Sequence, residues 1–363
     1  MTIPREFDII KTGKGYTMKG WDFNSAEITE ALKNNKMLNP AFELGTNACP
    51  LSCFFCFTED SNNPLGLKKR LNEEMSLERK LKLIDESREL GAKSINFVGA
   101  GEPLIDPDFW KIIEYIKKLD ITPIVYTEGT AGNSSNGLHY KENSQRLYNL
   151  GATIVLKVNS LTNETYQNNI VFSATHNKRS LTFNYLQERN KVLDVLIKTG
   201  FNSHDPTRLA FDTIICKENI NEIPDIHRYA RNNNIFVLFV NYLPSGRSSA
   251  PVQNALSRDE QFSVFKKLAD IDEKEYSLEH RSIFPYAGSV PCSIRGLGLY
   301  VKIGGKVYDC PGELELLGNL KNEPLRLLWD KTKSIRNNFD GGCAPRENFW
   351  NKYSGSNPLK VLD

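Results

Sequence analysis

Three cysteines, Cys49, Cys53 and Cys56, fall within eight residues as C-x3-C-x2-C, in the run Cys49-Pro50-Leu51-Ser52-Cys53-Phe54-Phe55-Cys56. Closely spaced thiolates are soft donors that suit iron–sulfur clusters or zinc rather than hard cations. Three of them can hold three irons of a cubane cluster. The fourth iron is then left open to chelation by the amino and carboxylate groups of a small molecule. The alternative is a zinc site, or cysteines that merely pack together. Zinc ribbons and fingers usually use paired C-x2-C units and four protein ligands, which a lone triplet with three-then-two spacing matches poorly.

Three more cysteines lie near the other end of the chain. Cys292 opens Cys292-Ser293-Ile294-Arg295-Gly296, Cys310 closes the hairpin-like approach Gly305-Lys306-Val307-Tyr308-Asp309-Cys310, and Cys343 sits in Gly341-Gly342-Cys343-Ala344-Pro345-Arg346. Three ligands again imply an open iron, or a shell completed by Asp309, Arg346 or another group; structural zinc and free thiols are the alternatives. Cys216 is the seventh, at the end of Asp212-Thr213-Ile214-Ile215-Cys216, where a lone strand cysteine is most often a small core residue. The five histidines are scattered and form no ligand-spaced pair.

The elements that must position these groups read as alternating short apolar runs and amphipathic helices. Strands are expected at 42–48, 94–99, 122–127, 153–159, 209–216 and 235–241, and helices at 76–90, 107–118, 141–150, 181–199 and 221–233. Ser76 is a plausible N-cap with Glu78 in the first turn, Leu77, Leu81, Ile84 and Leu90 recur at helical spacing, and Gly91 is a stop signal. Phe236-Val237-Leu238-Phe239-Val240 is apolar throughout, as parallel strands covered on both faces are. Six such repeats predict an α/β fold, an open partial (β/α)6 TIM-like barrel, whose chemistry gathers at the C-terminal ends of the strands. After residue 243 the text shifts: Leu243 to Pro251 reads as a linker, a helix is expected at 257–270, and glycine- and cysteine-rich hairpins follow from 283. The division is 1–40 as an N-terminal extension, 41–245 as the barrel and 246–363 as a smaller α+β module.

Composition sets outer bounds. The chain has 363 residues, 40% of them hydrophobic and 10% aromatic, enough for a sizeable core. With 46 basic against 44 acidic residues the net charge is +2, which gives no electrostatic reason to expect nucleic acid or a membrane surface as partner. The longest strongly apolar run, Ile235 to Val240, is far short of a membrane span. The N-terminus lacks a signal-peptide core, and seven cysteines make no disulfide framework. A reducing, cytoplasmic setting is the expectation.

Beyond the triplet, Phe42-Glu43-Leu44-Gly45-Thr46-Asn47 precedes it as a first barrel strand would. Phe55 stands before the last cysteine, and about forty residues on comes Ile95-Asn96-Phe97-Val98-Gly99-Ala100-Gly101-Glu102-Pro103. With these features the chain resembles the radical S-adenosylmethionine (radical SAM) superfamily, over residues of about 40 to 245. The resemblance implies a [4Fe–4S] cluster whose open iron takes SAM, with Phe55 near the adenine. Gly99, Ala100, Gly101 and Glu102 match the family's Gly-Gly-Glu-Pro element, with alanine at its second position, and their backbone would receive the methionine ammonium. Glu128, in Tyr126-Thr127-Glu128-Gly129, stands where the family often has asparagine beside the ribose and amino end of SAM. Lys157, Asn159 and Ser160 would hold the carboxylate or ribose. Lys157 and Asn159 fall on one face by alternation. A lysine inside an apolar strand is costly unless paired, and Lys157 is alternatively a group for an anionic substrate. Cys216 matches the lone cysteine with which some radical epimerases return a hydrogen atom.

The C-terminal cysteines resemble the first half of a SPASM or twitch module, which holds a second, auxiliary [4Fe–4S] cluster; a full SPASM set would need more cysteines. Such an enzyme reductively cleaves SAM to a 5′-deoxyadenosyl radical, which abstracts hydrogen from a small polar substrate such as a sugar, aminocyclitol or nucleotide. The outcome would be dehydrogenation, epimerisation or cyclisation, with electrons supplied by a protein such as flavodoxin or ferredoxin. A peptide-modifying maturase is the runner-up, weakened because only 48 residues precede Cys49, too few for a leader-binding domain. A non-catalytic Fe–S or zinc protein is the reading from another class.

Overall fold

The structure is a computed structural model, and it describes residues 14–44, 49–56, 74–98, 100–171, 184–240, 255–278, 293–312 and 315–337. The strands are β1 (Ala41–Glu43), β2 (Ser94–Val98), β3 (Thr122–Thr127), β4 (Thr153–Lys157), β5 (Leu209–Ile214), β6 (Phe236–Val240), β7 (Tyr300–Val301), β8 (Lys306–Tyr308) and β9 (Leu316–Asn319). The helices are α1 (Ser25–Lys33), α2 (Leu77–Glu89), α3 (Phe109–Lys118), α4 (Lys141–Asn149), α5 (Glu164–Val171), α6 (Tyr185–Thr199), α7 (Ile223–Asn232), α8 (Arg258–Tyr276), α9 (Ser293–Leu297), α10 (Leu325–Lys331) and α11 (Lys333–Asn337).

One sheet carries all nine strands, in the order β6-β5-β4-β3-β2-β1-β7-β8-β9. Strands β1 to β6 are parallel neighbours in chain order, the partial (β/α)6 barrel expected from the repeats. Among the described residues the sheet is not closed. The C-terminal strands join this sheet: β7 runs parallel to β1, with Ala41 opposite Tyr300, and β8 and β9 follow antiparallel.

Alternation along the strands splits the apolar residues between two layers. Phe42, Phe97, Val125, Ile154, Leu156, Phe211, Val237 and Phe239 face outward into the main core, where Ile84, Ile112, Ile116, Leu193, Leu196 and Ile226 of the helices cover them. Ile124, Val155, Ala210, Phe236 and Leu238 face inward. This two-sided burial is why the strands read as unbroken apolar runs. Ser76 caps α2 by accepting from Arg79 N at 3.2 Å, and Gly200, at φ 95°, ends α6.

The extension before α1 has a definite job. Residues 14–22 cross the N-terminal mouth of the barrel. Gly15 N donates to Asn234 Oδ1 at 2.6 Å, Lys19 N to Thr207 O at 2.9 Å, Thr153 Oγ1 to Lys19 O at 3.0 Å and Ser94 Oγ to Gly20 O at 2.5 Å. Met18, fully buried, plugs the centre against Ile124, Val155 and Ala210. Gly15 has φ +63°, and a Cβ there would collide with the Ile235 carbonyl. Gly15→Ala is expected to cost about 1–3 kcal/mol through strained backbone and a displaced strap. Urea unfolding at constant m-value checks this, and an unchanged midpoint would mean that the strap does not bind tightly.

The C-terminal hairpin is locked to the barrel by a buried carboxylate. Glu43, 2% exposed on β1, accepts from the Tyr300 hydroxyl and from Ile303 N at 2.7 Å. Among the described residues no helix is long and apolar enough to cross a membrane.

Candidate active site

The cysteine loop leaves the C-terminal end of β1 and rests on α5. Ser52 N donates to Val171 O at 2.9 Å, Phe54 N to Ile170 O at 3.4 Å, and Cys56 N to Cys53 O at 3.2 Å. Leu51 and Phe54 are buried against Ile170, Val171, Tyr185, Ile214 and Cys216, with Cys49, Cys53 and Phe55 packed on the same cluster. All three thiols of the triplet are half-buried. That of Cys49 is pushed well above its ordinary range by burial, then by Cys53 and by the carboxyls of Glu102 and Glu128. Among the described residues no three histidine, cysteine, aspartate or glutamate side chains converge as a closed ligand set. Donor chemistry is what fits a cluster: three sulfurs in one short loop, against an apolar wall.

Beside the thiols lie two buried carboxyls. Glu102, 2% exposed, follows β2 and caps a turn at Pro103–Ile105, accepting from Leu104 N at 3.0 Å, Thr127 Oγ1 at 2.6 Å and Glu128 N at 2.8 Å. Burial, then the like charge of Glu128, raises it to about 8 against these hydrogen bonds. Glu128, after β3, accepts from Thr130 Oγ1 at 2.8 Å and Gly132 N at 3.1 Å, and burial raises it too. The Tyr185 hydroxyl donates to Glu128 O at 3.3 Å. Among the described residues neither carboxyl has an ion-pair partner. Gly99 lies outside the described residues; Ala100 is buried and Gly101 half-buried beside Glu102.

Lys157 ends β4 and forms an ion pair with Asp212, its register partner on β5. Its ammonium lies 4.7 Å from the centroid of the Phe55 ring. Asn159 and Ser160 do not continue this face, because β4 stops at Lys157. Their backbone N–H groups donate to Gln167 Oε1 at 3.1 and 3.0 Å. Asn159 Oδ1 accepts from Ile214 N at 3.1 Å and Ser160 Oγ from Asn163 N at 2.9 Å. Both side chains, fully buried, brace the β4–α5 loop.

Cys216 is 1% exposed beneath the cysteine loop. Burial pushes its thiol to about 12, and it donates to Asn219 Oδ1 at 3.5 Å. It is therefore a neutral S–H. Cys310 is buried after β8. Asp309 beside it accepts from Arg295 Nε at 2.9 Å and Glu315 N at 3.1 Å, so both carboxylate oxygens already have partners. Cys292, Cys343 and Arg346 lie outside the described residues.

Sequence reasoning passed over Asp212, Tyr126 and Tyr185. The signal for Asp212 was present: a charge inside the apolar run Leu209-Ala210-Phe211-Asp212-Thr213-Ile214 is as costly unpaired as the lysine of β4. Tyr185 carries no such mark, since its role depends on α6 crossing the end of β3.

The sequence profile of the radical SAM superfamily matches residues 44–230. A GTP 3′,8-cyclase of Staphylococcus carnosus (strain TM300) is 23% identical over 233 residues, 63% of this chain and 62% of that protein. One of Aquifex aeolicus (strain VF5) is 25% identical over 313 residues, 80% of this chain and 85% of that one. A probable GTP 3′,8-cyclase of Methanococcus maripaludis (strain C5 / ATCC BAA-1333) is 26% identical over 200 residues, with 57% of its length spanned. The chain thus spans about three fifths of the S. carnosus and M. maripaludis proteins. Among solved structures, native anSMEcpe with bound AdoMet has TM-score 0.59 at 16% identity, covering 83% of this chain and 82% of that one. Streptococcus suis SuiB has TM-score 0.61 at 14% identity, covering 86% and 71%. These two share the fold.

Proposed function

The chain belongs to the radical SAM superfamily, and from that premise we propose that it cleaves SAM reductively and uses the resulting radical to abstract a hydrogen atom from a small polar substrate. Cys49, Cys53 and Cys56 hold the [4Fe–4S] cluster, and Cys292, Cys310 and Cys343 hold an auxiliary one. Bound at the triplet, such a cluster would supply the electron for reductive cleavage of SAM to methionine and a 5′-deoxyadenosyl radical.

The chain's own residues do the rest. The observation that carries the reading is the pair of buried carboxyls, Glu102 and Glu128, within electrostatic reach of Cys49 and without an ion-pair partner among the described residues. Two buried carboxyls, both raised by burial and Glu102 raised further by Glu128, form a receptor for a cation, and the methionine ammonium of SAM brings one to the thiols. The backbone of Ala100 and Gly101, beside Glu102, would receive the same ammonium. Phe55 lends a ring to the adenine. Leu51, Phe54 and Tyr185 make the wall that keeps water from the radical, and the strap under Met18 shuts the opposite mouth, so ligands arrive from the cysteine side. Cys216, a neutral thiol, is suited to return a hydrogen atom rather than to act as a thiolate.

Because relatives are named for GTP, a nucleotide joins sugars and aminocyclitols among the substrates to test. A flavodoxin or ferredoxin supplies the electron. The test is anaerobic incubation of reconstituted protein with dithionite and SAM: 5′-deoxyadenosine and methionine are expected in equal amounts. An iron-loaded protein that leaves SAM intact, with an EPR signal indifferent to SAM, overturns the reading. Glu102→Gln removes one charge-assisted contact to the ammonium, worth about 1.5–3 kcal/mol, and is expected to weaken SAM binding roughly ten- to hundredfold. Equilibrium dialysis with labelled SAM measures it.

A further inference from the structure

The concave face of the sheet is stratified. Its lower layer is apolar: Ile124, Val155, Ala210, Phe236 and Leu238 on Met18. Two residues further along β3, β4 and β5 the same face carries Tyr126, Lys157 and Asp212. Lys157 and Asp212 are paired, and each is 16% exposed, so the pair is neither sealed in the core nor a surface ion pair. Among the described residues the ammonium has no other hydrogen-bond acceptor, and Asp212 Oδ1 has no donor. On the far side of the concavity Tyr300 and Tyr308 pack with Ala41, Val98 and Tyr126 into an aromatic wall. The other carboxylate there, Glu43, is already bonded to Tyr300 and Ile303.

This shelf adjoins the carboxyl pair near the thiols: with Thr127 opposite Leu156, Glu128 follows β3 where Lys157 ends β4. The charges acting on Cys49 are Cys53, Glu102 and Glu128, whereas the charge acting on Tyr126 is Asp212. Phe55, whose ring lies under Lys157, also links the two groups.

We infer that Lys157 and Asp212 are the specificity-determining pair for the substrate, and that they select a vicinal amino alcohol carried on a small polyhydroxylated ring. A partly exposed ion pair presents a donor and an acceptor about one hydrogen-bond length apart. Adjacent hydroxyl and amine groups offer the complementary spacing: the hydroxyl oxygen accepts from Lys157 Nζ, and the amine donates to Asp212 Oδ1. One face of the ring lies against Tyr126, and the apolar layer beneath limits depth. A polyphosphate suits this shelf badly. It needs several cations; among the described residues the shelf offers Lys157, already paired with Asp212, and Lys302 over the Tyr308 ring, while Glu43 adds a second negative group to the face. The inference rests on the radical-enzyme reading above and narrows its substrate class.

The test uses full-length, anaerobically reconstituted protein with SAM present, titrated separately with glucosamine, myo-inositol and GTP and followed by saturation-transfer NMR. Glucosamine is expected to bind most tightly and inositol more weakly. Asp212→Asn should weaken glucosamine about tenfold or more and inositol less. Lys157→Met should weaken both, and Lys157→Arg should restore part of the loss. In each variant SAM should still perturb the cluster's EPR signal. The inference is overturned if GTP binds more tightly than both sugars, or if neither sugar binds. It also fails if Asp212→Asn abolishes the SAM perturbation, which would assign the pair to the cofactor. Failure of the wild-type protein to cleave SAM would instead strike the radical-enzyme reading, and the sugar titrations would still report on the shelf.

Discussion

Alanine at Cys49, Cys53 and Cys56 together will abolish SAM cleavage and remove about four irons per chain. The thiols are the only soft donors on their loop, and the loop is held to α5 by backbone bonds to Ile170 and Val171, so the variant loses its ligands without losing its anchorage. The iron that remains is the informative quantity. If about half stays, with a reducible EPR signal, then Cys292, Cys310 and Cys343 build a second cluster, and an oxidative outcome that passes the substrate electron to it stands. If none stays in a folded chain, only the SAM cluster exists, and a redox-neutral outcome such as epimerisation becomes the better reading, with Cys216 as the thiol to mutate next.

Asp272→Ala is expected to be the most damaging single substitution away from the site, at about 3–5 kcal/mol. Asp272 is fully buried on α8 and accepts from His227 Nε2 at 2.6 Å, Arg231 Nε at 2.8 Å and Arg231 Nη2 at 2.7 Å. Arg231 passes the link to the strap by donating from Nη1 to Gly15 O at 2.7 Å. Without the carboxylate a nearly sealed guanidinium keeps its charge and loses its counter-ion. Asparagine restores an acceptor but not the charge and should recover only part of the loss. Chemical denaturation measures both variants; a cost below about 1 kcal/mol for alanine would mean that water enters and solvates Arg231.

The barrel was legible because its strands are buried on two faces, which leaves an apolar run that no turn interrupts. Helix starts were legible where a side chain caps them, as at Ser76. Ends were less so: β4 was expected to reach residue 159 and stops at Lys157, because Asn159 turns its amide to Gln167 instead of a ladder partner. Helix α5 was missed, since Glu164-Thr165-Tyr166-Gln167-Asn168-Asn169 is polar and the helix buries only Gln167, Ile170 and Val171. The strap was read only as an extension, for it has no periodicity and its bonds reach across roughly the whole barrel. In the site, the thiols and the two glutamates were visible as motifs. The pairing of Lys157 with Asp212 was not, although each was marked by the same misplaced charge; joining them requires the register of two strands separated by α5 and α6.

The strap has a consequence for how the protein is made. Gly15 emerges from the ribosome first, and its partner Asn234 lies 219 residues later. Lys19 waits for Thr153, 134 residues on, and later for Thr207. During synthesis the inward layer of Ile124, Val155 and Ala210 therefore waits for full cover until β6 is out, with the strap already synthesised but held only by its bonds to Ser94 and Thr153. Contacts of such long separation are slow to close, and an open apolar basin on a nascent chain invites association with its neighbours. Slower translation, or a holdase present during expression, should raise the yield of folded protein more than any change of refolding buffer.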